Sequence, residues 1–187
     1  MGNRLMNNQI DGASLGVFSE DERQLLQSRL RVRQLQKNEL LLKEGTRCQS
    51  MYFIQSGCLY ACTMGELEEK VTALHGPGEW CTNYSSFIAQ NPSQTSIKAY
   101  AATQVLELTL VEIHALIALS PVYLQLGKLL EGALHRTRYL DTTMNPTEKY
   151  QQLLKDQPQL LQLFPLKMIA SYLQMTPETL SRVRARF

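Results

Sequence analysis

Residues 166–184 read LKMIASYLQMTPETLSRVR, and this stretch predicts two short helices joined by a tight turn. Ala170 is small enough to lie where two helices cross closely, and Thr176 followed by Pro177 is a strong start for the second helix. Gln174 stands where such a turn often has glycine, and a left-handed residue there costs about 1 kcal/mol. Apolar residues on both sides of the turn are expected to face a shared core: Ile169, Leu173, Met175, Leu180 and Val183.

The second helix of this pair has polar side chains on the face that the shared core leaves free. Glu178 can accept a hydrogen bond from a cytosine amino group, and Arg182 can donate two to guanine. Between residues 165 and 187 four basic residues stand against a single acidic one, and DNA affinity depends on neutralising backbone charge. The segment therefore predicts a helix-turn-helix that binds double-stranded DNA, with an ordinary helical hairpin as the alternative. The other DNA-contacting residues, expected mostly at phosphates, are Lys167, Thr176, Thr179, Ser181 and Arg186.

The middle of the chain consists of short apolar runs separated by glycine-containing turns. Short strands at close spacing are typical of an antiparallel sandwich or jelly roll, and we expect about eight of them between residues 30 and 110. A capping box at Ser19 and Glu22 predicts a short helix before the strands. The apolar runs are Leu40–Leu42, Met51–Gln55, Cys58–Thr63, Val71–His75 and Gln104–Leu108.

From Thr109 onward the sequence predicts helices. A long helix is expected to begin at Ser120 and Pro121 and to continue to about Thr143. One stripe along it has the 3-4 spacing of a coiled-coil seam, which predicts a dimer; packing of the same stripe against the chain's own sandwich is the alternative. The stripe consists of Tyr123, Leu126, Leu130, Ala133, Thr137, Leu140 and Met144.

These patterns together predict an α+β fold in three parts. Residues 16–120 are expected to form a jelly-roll sensor domain, which is a double-stranded β-helix. Residues 121–144 are expected to form the dimerisation helix. Asn145 followed by Pro146 is a further helix start, so residues 145–187 are expected to form the helix-turn-helix domain.

Composition argues against several classes of protein. Hydrophobic residues make up 44% of the 187 residues, yet no apolar run approaches the roughly 20 residues of a membrane helix. The N-terminal stretch lacks an apolar signal segment, so we expect a cytoplasmic protein without a membrane partner. The cysteines contain no C-x-x-C pair, and the three histidines fall on a turn and two helices, so we expect free buried thiols, no metal site and no enzyme. The cysteines are Cys48, Cys58, Cys62 and Cys81.

The order of sandwich, long helix and helix-turn-helix resembles the cyclic-AMP receptor protein family, the CRP/FNR-type regulators, over residues 18–187. Residues 76–79 (GPGE) and 176–182 (TPETLSR) resemble motifs of that family. The resemblance implies a sensor domain, a dimerising helix and operator binding as a two-fold dimer, with RNA polymerase as a further partner. It places the family's recognition-helix residues at Glu178, Thr179 and Arg182.

The cyclic-nucleotide cassette of that family is only partly matched. Gly78 and Glu79 correspond to it, but Cys81 replaces its second glycine and Ile97 stands at its arginine position. Lys98 is a strand neighbour of Ile97 and should point the other way. Because the arginine is the main partner of a cyclic phosphate, cyclic AMP is not expected. No cofactor is assigned; a small effector in the sandwich, or core filling without one, is expected at Gly78, Glu79, Cys81, Tyr84, Phe87, Lys98, Leu134 and His135.

Two alternatives remain open at the C-terminus. Residues 157–165 leave little room for the family's β-wing, and only five residues follow Arg182, so we expect a wingless variant or an early chain end. If the last helices contacted protein instead of DNA, the chain would be an effector-binding module. Mobility shifts at low salt would separate these two functions.

Overall fold

The computed structural model describes residues 18–66, 68–130 and 143–187. The strands in these ranges are β1 (Arg31–Leu35), β2 (Leu40–Leu42), β3 (Ser50–Ser56), β4 (Leu59–Met64), β5 (Glu69–His75), β6 (Trp80–Cys81), β7 (Ser96–Ala99) and β8 (Thr103–Thr109). The α-helices are α1 (Glu20–Ser28), α2 (Tyr84–Ala89), α3 (Leu110–Leu119), α4 (Pro146–Asp156), α5 (Leu160–Leu163), α6 (Leu166–Tyr172) and α7 (Pro177–Arg184). A 3₁₀ helix spans Pro121–Leu130.

The strands form two antiparallel sheets of four strands each. The first sheet has the order β1-β8-β3-β6 and the second has the order β2-β7-β4-β5. Residues from both sheets meet in one hydrophobic core, in which Ile54, Leu59 and Leu108 are completely buried. The predicted antiparallel sandwich of about eight strands is thereby confirmed.

The turn between β3 and β4 requires glycine at position 57. Gly57 has φ +79°, and a Cβ atom there would overlap the carbonyl oxygen of Ala102 and the hydroxyl of Thr103. The Thr103 hydroxyl accepts a hydrogen bond from the Cys58 N–H at 3.1 Å and donates one to the Ala101 carbonyl at 2.8 Å. This close approach holds the turn against the start of β8.

Helix α1 begins at the predicted capping box. Ser19 Oγ accepts from the Glu22 N–H at 3.3 Å, and the Glu22 carboxylate accepts from the Ser19 N–H at 2.7 Å. The Phe18 ring stacks on Tyr123 with centroids 5.6 Å apart, and the Tyr123 hydroxyl donates to the Glu22 carbonyl at 3.0 Å. These contacts fasten α1 to the segment that follows α3.

The segment Pro121–Leu130 is a 3₁₀ helix, so the predicted α-helix is wrong for these residues. Its buried residues Tyr123, Leu126 and Leu129 recur at every third position, which fits three residues per turn. Tyr123 and Leu126 are only 1% and 2% exposed in the chain's own core, so the dimer seam predicted for them is corrected. Leu130 is half-buried. Three other predicted seam residues lie outside the described residues: Ala133, Thr137 and Leu140.

Helix α4 begins at Pro146 and is capped by Asn145, as predicted. Asn145 Oδ1 accepts from the N–H groups of Thr147 and Glu148, both at 3.0 Å, and the Glu148 carboxylate accepts from the Asn145 N–H at 2.8 Å. Pro146 occupies the first helical position. This cap sets the start of the C-terminal helices within about a residue.

The C-terminal helices share a second hydrophobic core with the outer face of the β4–β5 pair. The Val71 N–H, on edge strand β5, donates to Ser171 Oγ of α6 at 3.0 Å. The rings of Tyr100 and Phe164 lie 5.3 Å apart. The helices are therefore packed against the sandwich of the same chain. The buried members of this core are Cys58, Tyr60, Cys62, Val71, Leu74, Tyr150, Leu153, Leu160, Phe164, Ile169, Ala170, Tyr172, Leu173, Leu180 and Val183.

Among the described residues, none of the helices combines the length and the apolar character that crossing a bilayer requires.

Candidate nucleic-acid interface and interdomain cleft

Helices α6 and α7 are joined by a tight turn at the predicted position. Gln174 has φ +57°, which reverses the chain, and the Met175 N–H then donates to the Ala170 carbonyl at 2.9 Å. Ala170 is completely buried where the two helices approach each other. Thr176 Oγ1 accepts from the Thr179 N–H at 3.2 Å, so the second helix starts at Pro177.

Helix α7 has one buried face and one free face. Leu180 and Val183 are 0% and 5% exposed and anchor the helix on the second core. Glu178 and Arg182, predicted to contact bases, are both exposed. Of the predicted phosphate contacts, Ser181 and Arg186 are exposed and Thr179 is half-buried. A buried anchor with a polar outer face is the geometry that major-groove insertion requires.

The carboxylate of Glu178 stays ionised at neutral pH. A hydrogen bond from its own backbone N–H lowers the pKa of Glu178, and the Thr176 hydroxyl and the charge of Arg182 act in the same direction. An ionised carboxylate only accepts hydrogen bonds, so this side chain suits an amino group on a base edge and repels phosphate.

A shallow groove of about 440 Å³ lies between α7 and the start of α4. Arg182 and Arg186 line it from α7, and Asn145 and Thr147 line it from the cap of α4. Two guanidinium groups beside a helix start give this groove a positive potential.

Lys167, another predicted phosphate contact, is paired within the chain. Its Nζ atom lies 2.6 Å from Oε2 of Glu68, in the turn between β4 and β5. Both side chains are largely exposed, at 72% and 65%. Lys167 is therefore paired with a sandwich carboxylate in this conformation, and its contact with phosphate stays a prediction.

Of the residues predicted to form an effector pocket, those that the structure describes lie in different environments. Cys81 and Phe87 are part of the closed sandwich core. Gly78 lies in a turn with φ +84°, and Tyr84 is a half-buried residue at the start of α2. Leu134 and His135 lie outside the described residues.

Two charged members of that predicted pocket face away from the sandwich interior. Glu79 Oε1 accepts from Gln159 Nε2 at 3.4 Å, and Glu79 Oε2 lies 4.0 Å from Nδ1 of the buried His75. Lys98 Nζ pairs with Glu69 on the outer face of the second sheet. The prediction that Lys98 lines a pocket inside the sandwich is therefore wrong. Ile97 and Lys98 are neighbours on one strand, so their side chains point to opposite faces of the sheet. Ile97 takes the inward position at 1% exposure.

Among the described residues, the sandwich interior has no cation at the position expected to bind a cyclic phosphate. The position where a phosphate-binding arginine would stand holds the apolar Ile97, packed in the sandwich core. No cation from the described part of the second sheet replaces it, because Lys98 points outward to Glu69. A phosphate there would lose its water without gaining a counter-charge.

His75 is the last residue of β5, not a turn residue as predicted. It is buried, and His114 is an exposed residue of α3. Within the described ranges no group of three or more metal-binding side chains forms a site.

Sequence reasoning missed a cleft between the sandwich and the helix-turn-helix, here called the interdomain cleft. Its volume is about 920 Å³. One wall is the β4–β5 pair, the other is α6 with the turn that leads into α7. The lining residues that matter below are Tyr60, Glu69, Lys70, Thr72, Met168 and Met175. The available signal was the run of apolar residues at 58–62, because a strand that is apolar on both faces is covered on both faces.

A polar network borders this cleft. Lys98 Nζ and the Tyr60 hydroxyl both donate to the Glu69 carboxylate, the second at 3.1 Å. Hydrogen bonding to Lys98 lowers the pKa of Glu69 and raises that of Lys98. Burial, followed by the nearby Glu69 charge, raises the pKa of the Cys62 thiol to about 11. The thiol is therefore protonated at neutral pH and a poor nucleophile.

Comparison with known proteins agrees with this fold. The family model of the cyclic nucleotide-binding domain matches residues 32–120. FixK2 from Bradyrhizobium japonicum is similar with a TM-score of 0.67 and 15% identity, covering 84% of this chain and 83% of that one. A CooA variant from Carboxydothermus hydrogenoformans gives a TM-score of 0.64 and 19% identity, covering 98% and 86%.

The catabolite activator protein of Thermus thermophilus gives a TM-score of 0.53 and 21% identity, covering 90% of this chain and 83% of that one. No curated protein sequence gives a significant match. The resemblance drawn from the sequence is confirmed: residues 32–120 form a cyclic nucleotide-binding-type domain, and the chain shares its fold with regulators of the CRP/FNR family.

Proposed function

We propose that this protein is a transcription regulator of the CRP/FNR type that binds operator DNA through α7. The observation that carries the proposal is the free face of α7, where Glu178, Ser181 and Arg182 are exposed while Leu180 and Val183 fix the helix on a buried core. Only the outer side chains of such a helix can reach base edges.

Charge supports the same function. The groove beside α7 carries Arg182 and Arg186, and Arg184 is exposed on the same helix. Because each neutralised phosphate releases counterions, binding through these residues should weaken steeply with salt. We propose a regulator, not an enzyme.

We further propose that the protein acts as a homodimer in the cytoplasm, in contact with RNA polymerase. A single helix-turn-helix reads only a few base pairs, and two-fold dimers double that length. Val111 and Leu119 on α3 and Leu124 on the 3₁₀ helix have exposed apolar side chains, and we propose that these belong to the contact between protomers. Residues 121–144 remain the expected place for part of the contact.

The test compares three proteins on a duplex enriched from a random pool and on its scrambled version. Arg182→Ala should lose about 1–3 kcal/mol of preference for the enriched duplex, since a bidentate base contact has that magnitude. Arg184→Ala is the matched control, with the same charge change on the same helix, and should keep the preference of the wild type. Fluorescence anisotropy at several salt concentrations measures the affinity of each protein for the two duplexes.

Equal preference in Arg182→Ala and wild type would show that Arg182 does not read bases. A wild-type protein with no salt-dependent DNA binding would favour the other function, an effector-binding module that acts through protein contacts.

A further inference from the structure

We propose that the interdomain cleft binds a small amphipathic acid, with its apolar body between β5 and α6 and its single negative charge beside Lys70. A nucleotide-type ligand would be sought in the sandwich interior. The interdomain cleft lies outside that interior. Binding of the acid does not depend on the proposed DNA-binding function. A role of this ligand in regulation rests on that function.

The size and the walls of the cleft suit a small molecule. Its volume of about 920 Å³ lies within the usual range for ligand sites. The apolar walls come from Tyr60 and Val71 on the sandwich and from Met168 and Met175 on the helices. Flexible thioether side chains adapt to ligands of different outline. The expected body is therefore an aliphatic chain or an aromatic ring.

A hydroxyl group without a partner lies in the wall of this cleft. Thr72 lines the cleft, and its Oγ1 atom is buried with no hydrogen-bond partner in the described chain. It occupies an irregular position in the ladder, because Cys62 pairs with Val71 while Ala61 pairs with Ala73. Irregularities of this kind redirect a side chain. This oxygen is covered from solvent, so a ligand oxygen reaches it only when a neighbouring side chain moves aside, and then supplies the partner that the chain lacks.

The charges around the cleft favour an anion. Glu69 is neutralised by Lys98, and Glu68 is neutralised by Lys167. Among the described residues, Lys70 lines the same cleft with no carboxylate at ion-pair distance. The local charge of about one positive unit complements a single carboxylate or sulfonate, and it disfavours an amine.

The first measurement is a fluorescence titration of the full chain with 1-anilinonaphthalene-8-sulfonate, an aromatic monoanion. We expect saturable binding of one probe per chain, with displacement by octanoate or by indole-3-acetate. These two competitors distinguish an aliphatic from an aromatic ligand. Octylamine has the length of octanoate and the opposite charge, and it should compete at least about tenfold more weakly. Equal competition by octylamine, or no saturable binding, overturns the proposal.

The second measurement locates the ligand by ¹³C-methyl labelling of methionine. Met168 and Met175 line the cleft, whereas Met51 is 1% exposed in the sandwich core. On addition of octanoate or indole-3-acetate, the Met168 and Met175 signals should shift and the Met51 signal should stay. A shift confined to Met51 would put the ligand inside the sandwich and contradict the proposal.

The third measurement compares matched charge reversals. Lys70→Glu should weaken binding of the sulfonate probe about tenfold. Lys43→Glu makes the same change at an exposed lysine that does not line the cleft and should leave affinity within about twofold. Thr72→Val keeps the shape of the side chain and should weaken binding about threefold through loss of the hydroxyl. Equal effects of the two lysine variants would contradict the role of Lys70.

Circular dichroism of each variant controls for folding, and DNA affinity is measured on the same samples. If the wild-type protein binds DNA but not the acids, the ligand proposal fails and the proposed function stands. Acid binding at Met168 and Met175 without any DNA binding defeats the proposed function and leaves the cleft ligand in place.

Discussion

Replacement of Glu68 by Gln should strengthen DNA binding, because Glu68 competes with phosphate for Lys167. Both side chains are mostly exposed, at 65% and 72%, despite their 2.6 Å separation. Exposed ion pairs contribute about 0–1 kcal/mol, so the release of Lys167 should raise DNA affinity at most about fivefold. If Lys167 then contacts one additional phosphate, the slope of log K against log salt steepens by about 0.9.

The assay is fluorescence anisotropy of a labelled duplex between about 50 and 200 mM salt, the range over which phosphate contacts change affinity most. Glu66→Gln is the matched control, since it removes the same charge from the same turn at a residue that the structure does not pair with Lys167. It should change the slope by much less. In a Lys167→Met background, Glu68→Gln should act no more strongly than Glu66→Gln. The reasoning fails if the two glutamine variants behave alike with Lys167 present.

Three further predictions concern stability and thiol chemistry. Asn145→Ala should destabilise the protein by about 1 kcal/mol in urea unfolding, since two N–H groups of α4 lose their acceptor; an unchanged midpoint would mean that the cap is dispensable. The pKa of Glu69 is lowered in the folded protein. The ionised carboxylate therefore contributes fully to the free energy of unfolding above its unfolded pKa, and this contribution is lost as pH falls through the lower folded value. The melting temperatures of wild type and Glu69→Gln should therefore converge in acid, and a constant gap would contradict this. At neutral pH the buried thiols, Cys62 with its pKa of about 11 included, should react with Ellman's reagent only after unfolding; rapid reaction of the native protein would show that the second core opens.

The elements that the sequence predicted best are those with strong local signals. Glycine-containing turns separate the strands. Side-chain caps fix the starts of three helices: Ser19 caps α1, Asn145 caps α4 and Thr176 caps α7. Such signals act over three or four residues and need no knowledge of the tertiary structure. The left-handed Gln174 followed from the same local logic.

The failures share a different cause, which is packing between distant parts of the chain. The spacing of Tyr123 and Leu126 fits both a coiled-coil seam, which continues at Leu130, and a 3₁₀ helix, which continues at Leu129. Only the burial of Leu129 distinguishes the two structures. The ion pair of Lys167 was not predicted, because its partner Glu68 is 99 residues away in the sequence. The interdomain cleft could not be derived either, because its two walls meet only in the folded chain.

The most direct test of the central claim is selection of duplexes from a random pool by the full chain. If α7 reads bases in a two-fold dimer, the enriched sequences should contain two inverted half-sites with centres about one helical turn, or a multiple of it, apart. Enrichment of single, unpaired sites would contradict the dimer. No enrichment over the starting pool, at salt low enough to hold non-specific DNA, would contradict sequence recognition by Glu178 and Arg182.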